Sequence, residues 1–338
     1  MKRRIAAMGA ALIAVTALTG CAGGSDGDGG EGGDKTVNVG IVQLPIFAPI
    51  YVAEAKGYFE DEGLDVNLEN VKSGQDAIPL ASSGKLDVVA AGFAAGMFSA
   101  ISTGLDVKVV GSMGVAGAEG ADEPASALIV RKELFDSGEI TSVADLKGHK
   151  VGALGGEAAT SAYYTTIALE EEGLSATDVE FVNLSSPDIP AGLKSGGIDA
   201  AFVSAPFWNQ AIDDGIAEEL WTTPEGTSGT GVIYGGEFAS SDAAQPFFDA
   251  MARAAQDLQG DDRYSEENLK IIGDATGQTP EQVSSVPLYF WEPDLNPLPD
   301  QLSSMERIWM DLGALEYDEP LDPSTYIDAS FSESAPSE

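Results

Sequence analysis

SGKLDVVAAGFAAGMFSAISTGLDVKVVG, residues 83–111, carries an apolar strand pattern at 86–91, a helical pattern at 94–103 and a second strand pattern at 107–110. A strand, a helix and a strand in one short stretch is the grammar of a βαβ unit and of a parallel sheet. Reading backward, further strands fall at 37–42 and 66–71, with helices at 50–56 and 75–83 between them. Reading forward, the grammar restarts near Ala127. Strands are expected at 128–131, 151–153, 180–183 and 200–203, and helices at 143–146, 161–172, 189–195 and 206–213. The remainder holds one strand (231–234) and then helices at 242–258, 266–276, 280–285 and 299–312. Its natural place is back on the first series. The chain is therefore expected to form an α/β fold of two similar lobes, 36–123 with 226–330 and 124–225. It would cross between them twice, near 120–126 and 222–230. Residues 331–338 are polar and expected to be frayed.

Composition narrows the function. Of 338 residues, 17 are basic and 55 acidic, a formal charge of −38. Phosphate contacts need clustered Lys and Arg, so nucleic acid is excluded as a partner. The acidic excess reads as a solubility surface. A hydrophobic content of 43% and 40 glycines suit a loop-rich α/β protein better than a helical bundle.

Residues 1–21 stand apart. Lys2, Arg3 and Arg4 precede a run of fourteen apolar or small residues, 5–18, which is short for a membrane span and right for a signal-peptide core. Leu18-Thr19-Gly20-Cys21 then resembles a bacterial lipobox, in which Cys21 is acylated and becomes the new N-terminus. Residues 22–35 are rich in Gly and acidic residues, and 23–34 contain no apolar residue to bury. Twelve such residues span about 20 Å. The expected arrangement is a lipid anchor, a leash and a folded body on the extracytoplasmic face of the cell membrane.

Four stretches carry a family resemblance: YVAEAKGYFEDEGLDVNLE (51–69), residues 83–111, SVADLKGHKVGALGG (142–156) and GGIDAAFVSAPF (196–207). Together and in this order they resemble the solute-binding proteins of ABC importers for nitrate, sulfonates, taurine and thiamine-type precursors. The resemblance implies a two-lobed periplasmic-binding-protein-like (type II) fold that closes on a small ligand. It also implies an ABC permease with its ATPase subunit as partner. No cofactor or metal is expected, and the protein is read as a monomer.

Ligands of open α/β sheets sit beyond the carboxyl ends of the strands. Here those ends supply Gln43, Leu44, Pro45, Ser73, Gly74, Gln75, Phe93 and Ala94 from the first lobe. The second supplies Glu157, Thr160, Ser161, Asp188, Ser204, Phe207 and Trp208, and Phe47 is a further aromatic candidate. GALGGEAATSAYY (152–164) contains neither the Lys of a phosphate loop nor a G-x-G-x-x-G. Thr160 or Ser161 is expected to cap a helix there, with backbone N–H groups facing the cleft. Glu157 and Asp188 either face solvent or meet a positive or donor-rich group on the ligand. Tyr163 and Tyr164 share that helix, so at most one faces the cleft.

The catalytic inventory is thin. His149 is the one histidine, in a helix-to-strand turn, and Cys21 the one cysteine; outside the Gly-rich leash no G-x-S-x-G occurs. The fungal-type thiamine-pyrimidine synthases share the fold by resemblance, but they carry a cysteine-rich motif that this chain lacks. A binding protein is expected rather than an enzyme. The first ligand class is a sulfonate, taurine or nitrate-type molecule, and the alternative is a nitrogen heteroaromatic such as a thiamine pyrimidine. A lipoprotein that only senses or adheres would show the same sequence.

Overall fold

A computed structural model describes residues 35–117 and 124–336, without the Gln75 side chain. The signal segment, Cys21 and the leash up to Asp34 lie outside the described residues. Lys35, read as the end of the leash, already belongs to the first strand.

Ten strands form: β1 (Lys35–Ile41), β2 (Leu64–Asn70), β3 (Val88–Gly92), β4 (Val107–Ser112), β5 (Ser126–Arg131), β6 (Lys150–Ala153), β7 (Glu180–Asn183), β8 (Ala200–Ser204), β9 (Ala217–Thr222) and β10 (Thr230–Gly235). They build two five-stranded sheets, ordered β2-β1-β3-β10-β4 and β7-β6-β8-β5-β9. Neither sheet is purely parallel, which corrects the βαβ expectation. β10 runs antiparallel to β3 and β4, and β5 antiparallel to β8 and β9. The cause is connectivity. β5 and β10 are the strands that follow the two passages between sheets, 113–125 and 223–229, so each enters its new sheet from the cleft edge and runs the other way. This is the two-lobed periplasmic-binding-protein fold with two crossings.

The crossings lie side by side. Ala116 N–H donates to Thr227 O at 2.8 Å, and Gly226 N–H donates to Ala116 O at 2.9 Å. Ser228 Oγ lies 3.0–3.1 Å from the carbonyls of Met113, Gly114 and Thr230. Gln301 fastens the pair from outside, accepting from Ser228 N–H at 2.6 Å and donating to Gly226 O at 2.5 Å.

Gln301 sits on the helix Pro299–Asp311, which was expected on the first lobe alone. Its apolar stripe, Leu302, Met305, Ile308 and Trp309, joins a cluster drawn from both sheets. The lobes thus share part of one core. The chain end is also ordered where fraying was expected. Ser330–Ser334 is helical, and Phe331 packs its ring 5.2 Å from Tyr234 and 6.1 Å from Phe248. One buried aromatic anchors an otherwise polar segment.

Candidate functional site

The carboxyl ends of β1 and β3 in the first sheet, and of β6 and β8 in the second, point into the space bounded by the crossings. The helix Thr160–Glu171 begins there. Its N-cap is Ala159, with no side-chain cap bond, so neither Thr160 nor Ser161 caps it as expected. Each hydroxyl has another partner. Thr160 Oγ1 lies 2.7 Å from Phe93 O and 3.3 Å from Gly229 O, across the cleft. Ser161 Oγ donates to Leu154 O at 2.9 Å within its own lobe. A hydroxyl has one proton to give. Thr160 therefore acts first as a tie between lobes, reinforced by a backbone bridge between Ala94 and Ala159.

The other expected residues separate by their surroundings. Gln43 and Ser73 serve their own lobe. Gln43 donates to Ala275 O at 2.6 Å and accepts from Asn70 at 3.2 Å, while Ser73 caps the helix Gly74–Ser82 through Asp76 N–H at 3.2 Å. Gly74 is buried so tightly that a Cβ there would stand 2.6 Å from Gly92 O. Phe47 and Trp208 are packed in cores on opposite lobes, with Phe93 in the shared one; the Trp208 indole N–H finds no partner among the described residues. Pro45 and Phe207 are half-buried. Leu44 and Leu154 are exposed at matching positions, each between the strand second from the edge of its sheet, β1 or β6, and the helical turn that follows. Glu157 and Asp188 face solvent, and Asp188 accepts from Ser185 Oγ at 2.5 Å.

Ser204 does meet the opposite lobe. Its Oγ is 3.1 Å from the Tyr289 hydroxyl, and its register partner Ser126 lies 3.3 Å from Thr223 Oγ1. Tyr164, stacked on Phe202 at 4.8 Å, completes this edge. Burial pushes the Tyr164 hydroxyl well above its ordinary range; the nearby Tyr289 and Tyr163 hydroxyls add to the rise, and a bond from Gly229 N–H opposes it. Burial likewise raises Tyr289, against bonds from Ser204 and Ser126. Both phenols stay neutral and able to donate at physiological pH. Among the described residues, no cationic side chain bonds to any of these hydroxyls. The cleft edge is neutral, rich in hydroxyls and partly aromatic.

Sequence reasoning missed Tyr289, Ser126, Thr223 and Gly229. Tyr289 lies in VPLYFWEPDLNPLP (286–299), which has no helical or strand period; its run of three aromatics was the available signal.

His149 sits at the opposite end of the second sheet, just before β6. Its Nδ1 is 3.1 Å from Asp199, which also accepts from Arg131 at 2.9 Å. A recess of about 160 Å³, lined by Thr166, Glu170, Ser175, Ala176, Thr177, Ile308 and Asp311, lies about two to three turns along the Thr160–Glu171 helix, away from the cleft edge. No described group of three or more His, Cys, Asp or Glu is placed to hold a metal ion.

The NMT1/THI5 like family profile matches residues 45–260. A 4-amino-5-hydroxymethyl-2-methylpyrimidine phosphate synthase of Aspergillus parasiticus is 34% identical over 113 residues, which is 33% of this chain and 29% of that protein. A putative thiamine biosynthesis protein of Haemophilus influenzae is 32% identical over 161 residues, 46% of this chain and 45% of its own. The chain thus spans less than half the length of these relatives. Among solved structures, the periplasmic nitrate-binding protein NrtA of Synechocystis PCC 6803 superposes with a TM-score of 0.68 at 16% identity, covering 89% of this chain and 88% of that one. The periplasmic aliphatic sulphonate binding protein SsuA of Escherichia coli gives 0.64 at 18%, covering 84% and 89%. At such identities the likeness speaks for the fold alone.

Proposed function

Because the chain belongs to the NMT1/THI5 like family, we propose that it is an extracytoplasmic solute-binding lipoprotein that captures a small organic molecule and delivers it to an ABC importer. One observation carries the reading: groups from both lobes, Thr160 with Phe93 and Ser204 with Tyr289, meet at the strand-end edge where such folds hold ligands. A ligand touching both lobes favours the closed form, which is the form a permease would select.

For the ligand we place the nitrogen heteroaromatic ahead of the sulfonate. The edge offers neutral groups that both donate and accept, which suits an amino-heterocycle. A sulfonate needs charge-assisted donors, and the Thr160 and Ser161 hydroxyls already point to carbonyls. The names of the curated relatives support the same choice. The specific observation on the other side is the helix N-terminus at Thr160, whose position beside the opposite lobe suits an anion. Capture is preferred to catalysis because the one histidine is engaged at the far sheet edge and the one cysteine lies in the signal segment.

A thermal-shift and calorimetric screen against 4-amino-5-hydroxymethyl-2-methylpyrimidine, taurine and nitrate tests this. At 100 times Kd a binder adds about 2.7 kcal/mol of stability. Stabilisation by the pyrimidine alone is expected. Taurine or nitrate binding in its place would reverse the order of ligands, and silence from all three would count against capture of these classes. Cys21→Ala tests the anchor: the protein should leave the membrane fraction or accumulate as an unprocessed precursor. Wild-type fractionation and migration would rule the anchor out.

A further inference from the structure

We propose that Tyr289 is a positioning residue that couples the two lobes, its hydroxyl closing onto the Ser204 edge of the second sheet and setting how much of the protein is closed before any solute arrives. This rests on the capture reading for its consequence but not for its measurement.

The backbone around Tyr289 is pinned to the first lobe and the first crossing. Phe290 exchanges two bonds with Val115, at 2.7 and 3.1 Å, and the Trp291 indole N–H donates to Ile46 O at 2.8 Å. Arg263 Nη1 reaches Tyr289 O at 3.4 Å. The ring then lies against Gly114, where a Cβ would stand 2.8 Å from both Cβ and Cγ of Tyr289. The same Cβ would stand 2.3 Å from Ile46 Cγ1, so glycine at 114 leaves room for both side chains. Its far end leaves the first lobe and meets Ser204 Oγ, on the strand that pairs with Ser126.

A rigidly mounted phenol that reaches across a hinge has a definite energetic role. Its bond to Ser204 exists when the lobes meet and is exchanged for water when they part. A net hydrogen bond of this kind biases an equilibrium by roughly three- to tenfold. Apparent affinity scales with the fraction of binding-competent protein, so the same factor passes into Kd for any solute that requires closure. Thr160 makes a second tie from the other side, so removing Tyr289's hydroxyl should weaken closure without abolishing it.

The test uses the full chain with Cys21→Ser and single cysteines at Lys72 and Glu157, two exposed positions after strands of different lobes. Spin labels there report the interlobe distance distribution with no solute present. Tyr289→Phe keeps the ring and should move the closed-to-open ratio about three- to tenfold toward open. Ser204→Ala should move it the same way but no further, because Ser126 also bonds the phenol, and the double variant should add nothing to Tyr289→Phe. An unchanged distribution in Tyr289→Phe would overturn the proposal, as would simple addition of the two single effects. A lowered melting midpoint with an unchanged distribution would mark Tyr289 as merely structural and also overturn it. The readout needs no solute, so a failed screen leaves it standing, and its own failure leaves a positive screen intact.

Discussion

Trp309→Ala is expected to destabilise the folded chain by about 3–5 kcal/mol, the usual range for emptying a buried aromatic site. Trp309 is fully buried on the helix Pro299–Asp311, with ring centroids 5.7 Å from Phe98 of the first lobe and 6.5 Å from Tyr163 of the second. Removing it opens a cavity that neither lobe can fill alone. Its indole N–H has no partner among the described residues, so the loss is one of packing and not of a hydrogen bond. The same helix carries a bidentate ion pair, Arg307 with Glu170 at 2.9 Å for both contacts, but both side chains are more than a third exposed. Exposed pairs contribute about 0–1 kcal/mol. Arg307→Ala should therefore matter far less than Trp309→Ala in urea denaturation. A Trp309→Ala cost below about 1 kcal/mol would mean that this helix is not part of a shared core.

What the sequence made legible follows from how local each signal is. All nine expected strands are present, because runs such as 86–91 and 107–110 are apolar, β-branched and bounded by turns. The tenth, β9, was invisible for a physical reason. It reads AEELWT, an edge strand beside β5 alone, with two adjacent acidic residues and only Ala217 fully buried. Sheet polarity also told which loops face the cleft. It could not tell what their side chains do there. Thr160 has the sequence position of a cap, but its hydroxyl bonds a carbonyl 67 residues away. Tyr289 enters from an irregular segment, and its partner Ser204 is 85 residues distant. Neither contact has a periodicity, because both arise only when the lobes are brought together.

That dependence on closure gives the final expectation. Gly229→Ala should weaken solute binding roughly ten- to a hundredfold while leaving the unliganded fold within about 1 kcal/mol of wild type. A Cβ at 229 would stand 2.0 Å from Thr160 Cγ2 and 2.9 Å from the Tyr164 hydroxyl, distances that real contacts do not reach. Both struck atoms belong to the helix Thr160–Glu171 of the second lobe. Gly229 itself is bonded to the first, accepting from Phe93 N–H at 2.9 Å. Its backbone is not left-handed, so alanine brings no strain of its own. The clash therefore falls on the closed arrangement and spares the open one. Apparent affinity falls with the closed fraction, read by calorimetry with whichever solute the screen identifies, and the radius of gyration without solute should rise. Thr160→Ser removes the methyl that the new Cβ strikes and keeps the hydroxyl that ties the lobes. Adding it to Gly229→Ala should recover much of the lost affinity. Unchanged binding in Gly229→Ala, or a loss that Thr160→Ser does not relieve, would show that the Thr160 contact is no part of the solute-bound state.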